Sequence, residues 1–242
     1  MYPIICDIGP IHIYSYGLML AIAVMVCAFL MSRDASKMGI DSQVIFDAIF
    51  WVILIGLMGA RLFYIVLNWS FFAENPLEMI MIQRGGLAWQ GSLVFGLGTG
   101  IIFLKRKKLP LLPILDLAAP YIALGQAIGR VGCFLNGCCY GKATVHGIYF
   151  PVHDARLHPT QLYCSLGLFF IFFLLKYYRR ISKIPGEVFI AYLILASVLR
   201  FFVEFWRADH YRTFLSLSVY QWVSLTVLIL ALGVWRCRRR TP

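Results

Sequence analysis

Arginines, amides and a few acids and thiols, set among glycines, are the side chains in this sequence with chemistry to offer. One group is Gly129-Arg130-Val131-Gly132-Cys133-Phe134-Leu135-Asn136-Gly137-Cys138-Cys139-Tyr140-Gly141. Its glycines remove side-chain bulk and let main-chain amides approach a ligand or a neighbouring helix closely. Arg130 beside such donors suits a phosphate. Helix packing is the simpler reading for Gly125 and Gly129, but it explains neither Arg130 nor Asn136. A second group is Arg200, Glu204 and Arg207, which on a helix fall on one face as a polar stripe. An arginine inside an apolar span costs about 2.5 to 3.5 kcal/mol and therefore faces a partner or a wet cavity. Glu204 is that partner for Arg200, and a structural ion pair and a catalytic one account for the stripe equally well. A third group, His158-Pro159-Thr160-Gln161-Leu162-Tyr163, opens an apolar run, with Pro159 suited to a first helical turn. His158, Gln161 and Tyr163 offer contacts to a headgroup or to protein, although an isolated histidine is more often structural. The fourth, Gly85-Gly86-Leu87-Ala88-Trp89-Gln90-Gly91-Ser92, presents Gln90, a neutral amide that donates to phosphate or hydroxyl but is no base.

The elements carrying these groups are membrane spans. The 242 residues are 61% hydrophobic and 14% charged, against about half apolar in ordinary globular chains. Apolar runs near the length that crosses roughly 30 Å of hydrocarbon recur throughout, at 14–31, 44–68, 87–104, 111–129, 161–178, 186–206 and 214–235. The fourth is interrupted by Pro113, Asp116 and Pro120. The expected fold is an all-α polytopic membrane protein, seven transmembrane helices with an outer-face loop region, and residues 1–242 form a single integral membrane domain. With no basic segment before the first run, a cleaved signal peptide is not expected. The stretch from about 130 to 160 is too apolar for disorder and is expected to pack against the helix ends.

The net charge of +11 is a topology signal and not a nucleic-acid footprint. Fourteen of the 22 Lys and Arg residues follow runs one, three, five and seven, so the positive-inside rule puts the N-terminus outside and the C-terminus in the cytoplasm. In that topology all four polar groups reach the outer face. A basic, glycine-rich pocket at outer headgroup depth implies an anionic phospholipid more than an ion path, which needs polar residues through the full thickness. Seven cysteines show no regular framework. Cys133, Cys138 and Cys139 fall on the outer face, where a thiol redox or metal site is a further reading, weakly supported by a C-x4-C-C spacing.

At these residues the chain resembles the prolipoprotein diacylglyceryl transferase family along nearly its whole length. The resemblance is carried by Ile8-Gly9-Pro10-Ile11, Tyr16-Gly17-Leu18, Gly59-Ala60-Arg61-Leu62, Gly85-Gly86-Leu87, Asp116-Leu117-Ala118-Ala119-Pro120, Gly125 to Arg130, Asn136-Gly137, His158 to Tyr163 and Arg200 to Arg207, in the family's order. It implies a bacterial inner-membrane enzyme with phosphatidylglycerol as donor and the lipobox cysteine of a prolipoprotein signal peptide as acceptor. No cofactor, metal or nucleic acid is implied. Attack requires a thiolate, and the departing glycerol phosphate needs its charge stabilised. Arg130 and Arg200 are assigned to the headgroup phosphate, Asn136 to orientation, and Glu204 to holding Arg200 or helping remove the thiol proton. Gln90, Gly91, Gly137, His158, Gln161 and Tyr163 are expected to bind substrate. The chain departs from the family at Gln90, where a histidine is usual, at Cys133 and Cys138, where asparagine and glutamate are usual, and at Ala196, where a tyrosine is usual. A phospholipid-binding member of the same family that has lost transfer or altered its specificity is the competing reading.

Overall fold

Long apolar helices dominate the structure, a computed structural model that describes residues 1, 3–8, 11–81, 85–208 and 217–240. Two short antiparallel strands, β1 (Ile4–Ile8) and β2 (Ile11–Tyr14), lead into α1 (Ser15–Ser36). Then come α2 (Ser42–Leu67), the short α3 (Trp69–Glu74), a 3-10 turn at Pro76–Met79, α4 (Trp89–Arg106) and α5 (Leu111–Asn136). A second two-stranded sheet, β3 (Ala143–Phe150) with β4 (Ala155–Leu157), precedes α6 (Thr160–Ile181), α7 (Glu187–Val203), a 3-10 turn at Glu204–Trp206 and α8 (Val219–Arg240).

Six of these helices are long and apolar enough to cross a membrane, among the described residues: α1, α2, α5, α6, α7 with its following turn, and α8. Their apolar side chains face outward. Met25, Phe29, Met58, Leu166, Phe170 and Phe173 are each more than 60% exposed. In water each would forgo roughly 1.5 to 3 kcal/mol of burial, so hydrocarbon is their solvent. The chain is a multi-pass membrane protein. The run expected at 87–104 forms α4, whose last turn carries Lys105 and Arg106.

The chain divides into two compact units, Met1–Met31 with Leu115–Pro242, and Ser32–Ile114. In the second unit α2 and α4 pack through small residues. A Cβ on Gly59 would overlap the Phe95 ring, and one on Gly91 would overlap the Gly59 carbonyl. The Arg61 guanidinium, on a residue only 7% exposed, donates to the main-chain carbonyls of Glu78, Met79, Met81, Gly85 and Gly86. It thereby ties the segment before α4 to α2.

In the first unit α5 is the central element, with Leu117, Ala119, Ala123 and Ala127 fully buried. The prolines do not break it. Asp116 turns outward from it, and its carboxylate accepts the main-chain N–H of Gly186 and of Phe189, at 2.5 and 2.9 Å. That places a negative group on the otherwise unpaired donors at the start of α7. At the same end of α7, Glu187 accepts from Ser182, Trp235 and Arg239, joining α7 to the end of α8. The helix also runs past the expected limit of residue 129, so Arg130, Cys133 and Asn136 lie on its last two turns.

In the 130–160 segment, β3 packs onto the last turn of α5. Phe150, fully buried, meets the rings of Phe134 and Tyr140 at 6.0 and 6.3 Å between centroids.

Candidate active site

The end of α5 builds one wall of a cavity of about 700 Å³ inside the first unit. Gly137, at φ +77°, terminates the helix. Its N–H bonds to the Phe134 carbonyl and the Cys138 N–H to the Cys133 carbonyl, each at 3.1 Å, the paired bonds of a Schellman ending. Only glycine enters that left-handed conformation cheaply. Cys139 also takes φ +64°, and two buried side chains at the start of α6 hold the strained turn. Thr160 Oγ1 donates to the Cys139 carbonyl at 2.9 Å and Gln161 Nε2 to the Cys138 carbonyl at 2.7 Å. Gly141 N–H bonds to the His158 carbonyl, and a Cβ there would strike both His158 and the Trp206 carbonyl.

Glu204 stands at the centre of the opposite polar group. It is fully buried, and its Oε2 lies 3.0 Å from Arg200 Nη2 and 3.8 Å from Arg207 Nε. Ser218 Oγ donates to Oε1 at 3.0 Å. Contrary to the expectation from their spacing, the three charged residues do not share one helical stripe. The α-helix ends at Val203 and Arg207 lies on extended backbone beyond a 3-10 turn. The ion pairs form because that tighter turn still carries Arg207 back to the carboxylate. Ser218 is held by a capping box at the start of α8: Gln221 N–H donates to Ser218 Oγ and Ser218 N–H to Gln221 Oε1. Sequence reasoning missed Ser218, although Ser-x-x-Gln before an apolar run is the signal that finds it.

Both arginines assigned to phosphate border the cavity. Arg200 keeps one donor, Nη1, buried and without a hydrogen-bond partner among the described residues, while its guanidinium lies 5.0 Å from the centre of the Tyr220 ring. Arg130 is half-buried and makes no hydrogen bond or ion pair to a described residue. A buried cationic donor without a partner is costly, and an anion beside it removes that cost.

The remaining expectations fall out unevenly. Asn136 closes α5 and is not among the residues that line the cavity. Gly137 shapes the turn. Gln161 is 1% exposed, with its amide nitrogen on the Cys138 carbonyl. His158 meets the Tyr163 hydroxyl at 3.2 Å, both outside the cavity lining. Gln90 and Gly91 belong to the other unit, Gln90 exposed and Gly91 packed on α2. Gly129 corrects its reading as a packing glycine. Open space lies where its Cβ would be, and it borders the cavity; helix packing falls instead at Gly132, whose Cβ would meet Met19 and Tyr16 of α1. Tyr192 was also missed. It lines the cavity and its hydroxyl accepts from Gln126 Nε2 at 2.8 Å.

A cluster of three thiols stands at this wall, with Cys133 and Cys139 lining the cavity. The sulfurs of Cys133, Cys138 and Cys139 lie within 4.8 Å of one another. Hydrogen bonds from Cys133 and then Cys138 hold the Cys139 thiol well below its ordinary pKa, with Arg207 and Arg130 adding to this against the effect of burial. Among the described residues, the cavity lining contains no carboxylate and no imidazole.

The sequence pattern of the prolipoprotein diacylglyceryl transferases matches residues 3–237. The chain belongs to that family. Its relatives include phosphatidylglycerol–prolipoprotein diacylglyceryl transferases from Geobacillus kaustophilus, 34% identical over 96% of this chain and 90% of the relative, and from Clostridium tetani, 33% identical over 99% and 98%. A third, from Bacillus cereus, is 36% identical over 84% of this chain and 80% of its own length.

Proposed function

We propose that this protein transfers the diacylglyceryl group of phosphatidylglycerol to a cysteine thiol of a prolipoprotein. Membership of the family and the names of the relatives support the activity. The observation that carries the site is the Nη1 of Arg200, buried and without a hydrogen-bond partner among the described residues, on the cavity that Arg130 also borders. Two guanidinium groups bind the lipid phosphate and stabilise the charge that develops on glycerol phosphate as it leaves. Asn136, on the last turn of α5, orients the headgroup. Glu204, fully buried between two arginines and Ser218, positions Arg200 and does not reach the substrate. Gly137 and Gln161 fix the turn that faces the lipid, and Gln90, Gly91, His158 and Tyr163 serve the headgroup or the acceptor segment.

The acceptor is the lipobox cysteine at the end of a signal peptide, delivered to the outer face of the bacterial inner membrane. The N-terminus lies outside and the C-terminus in the cytoplasm. This orientation needs α4 as a seventh crossing within one membrane domain. With α4 crossing, Arg33 and Lys37, the Lys105–Lys108 run, the basic end of α6 and the end of α8 share the cytoplasmic face; without it they divide between faces.

The test incubates the purified full-length protein with phosphatidylglycerol vesicles and a lipobox peptide and follows the peptide by mass. A mass increase by one diacylglyceryl unit, absent when the lipobox cysteine is replaced by serine, is expected. Phosphatidylglycerol binding without any mass increase would replace the transferase with a lipid-binding member of the family.

A further inference from the structure

The chemistry proposed above requires a thiolate, and among the described residues the cavity lining provides no ordinary base to make one. Its described lining has no histidine, aspartate or glutamate. Glu204 is enclosed by Arg200, Arg207 and Ser218. Gln90 is an amide, and the His158 ring meets Tyr163 outside the cavity. What the wall does provide is sulfur. Cys133 on the last turn of α5, and Cys138 and Cys139 on the turn that follows, bring three thiols within 4.8 Å of one another. A metal with bonds of about 2.3 Å to tetrahedral sulfur ligands spaces them about 3.8 Å apart, inside that limit. The Cys138–Cys139 backbone is held in place by Gln161 and Thr160. No hard oxygen ligand belongs to the cluster, so the donor set suits a thiophilic ion and not magnesium or calcium.

We propose that Cys133, Cys138 and Cys139 bind a zinc ion whose fourth position takes the acceptor thiol of the prolipoprotein, so that the metal generates the thiolate. The inference rests on the transferase reading above. Three protein ligands with one open position are the pattern of catalytic zinc, and a thiol that coordinates zinc loses its proton. Cys133 and Cys139 border the cavity shared by Arg130 and Arg200, so the metal lies beside the place assigned to the donor phosphate. The acceptor S–H breaks as its sulfur binds zinc, and the proton passes to water. The sulfur electron pair then forms the S–C bond to the glyceryl carbon while the C–O bond to phosphate breaks, and that pair leaves with glycerol phosphate. With three protein thiolates the zinc site carries about one net negative charge, which Arg130 and Arg207 offset.

The experiment uses the full-length protein purified in detergent without chelator, loaded with zinc, and assayed for metal by mass spectrometry and for peptide transfer. About one zinc per chain is expected. Cys138→Ser and Cys139→Ser should each bind zinc at least about tenfold more weakly while unfolding at the parent temperature. Cys6→Ser, in an exposed residue outside the cluster, should keep its zinc. Cobalt in place of zinc should give the thiolate charge-transfer absorption, lost in Cys139→Ser. Chelation should lower transfer at least about tenfold and zinc should restore it. Full transfer by metal-free protein, or a parent chain that binds no zinc because two of the three sulfurs form a disulfide, overturns the proposal and leaves the transferase reading standing. Zinc held by the three cysteines with no transfer from any lipid overturns the transferase reading and the role of the fourth position together.

Discussion

Arg61 and the pair Arg130 and Arg200 are all arginines on apolar helices, yet the two regions treat the guanidinium in opposite ways. In the Ser32–Ile114 unit, Arg61 has five carbonyl acceptors from its own chain and two aromatic neighbours, Tyr64 and Phe72. Nothing remains for a ligand to satisfy. In the other unit Arg200 has one ion pair and one buried donor without a partner, and Arg130 has neither hydrogen bond nor ion pair among the described residues. Residue type and membrane depth therefore do not distinguish a structural arginine from a functional one. Whether the protein itself satisfies the donors does.

The comparison can be broken at several points. Glu204→Ala leaves Arg200 and Arg207 without their counter-charge and should destabilise the protein by about 3 to 5 kcal/mol, read by thermal unfolding in detergent. An unchanged unfolding temperature would mean the buried carboxylate is not what holds the arginines. Arg61→Gln should cost about 2 to 3 kcal/mol, because several carbonyls lose a charged donor, while the surviving folded protein transfers at the parental rate. Loss of turnover at full stability would place Arg61 among the functional residues. Arg200→Lys keeps the charge but loses the planar fork; transfer should fall by about tenfold or more with little change in stability, a result that a purely structural ion pair does not give. Asp116→Asn should cost about 1 kcal/mol, measured by unfolding, as the start of α7 loses its negative partner, with turnover intact.

Much of this architecture is legible in the sequence for a physical reason. Long apolar runs with basic ends have few alternatives to membrane helices, and Arg200 with Glu204 at i, i+4 predicts the ion pair that forms. Three features escape that logic. Pro113 and Pro120 look like interruptions of α5, but Asp116 binds the main chain of a neighbouring helix, a contact that no local pattern encodes. Gly129 and Gly132 are indistinguishable by spacing, and only the position of α1 decides that one packs and the other borders a cavity. The third is the satisfaction of each guanidinium. Acceptors for Arg61 come from residues 17 to 25 positions away, on a segment without regular periodicity.

The distinction between the two regions is tested most directly at Arg130, the arginine with no hydrogen-bond or ion-pair partner among the described residues. Arg130→Gln, purified at matched folded yield, is compared with the parent for binding phosphatidylglycerol and a zwitterionic phospholipid, and for transfer to a lipobox peptide. Phosphatidylglycerol binding and transfer should both fall by about ten- to a hundredfold, the value of a charge-assisted hydrogen bond, with thermal stability and zwitterionic-lipid binding unchanged. A well-folded Arg130→Gln protein that binds and uses phosphatidylglycerol as the parent does would contradict the phosphate role and return the glycine-rich end of α5 to a packing motif.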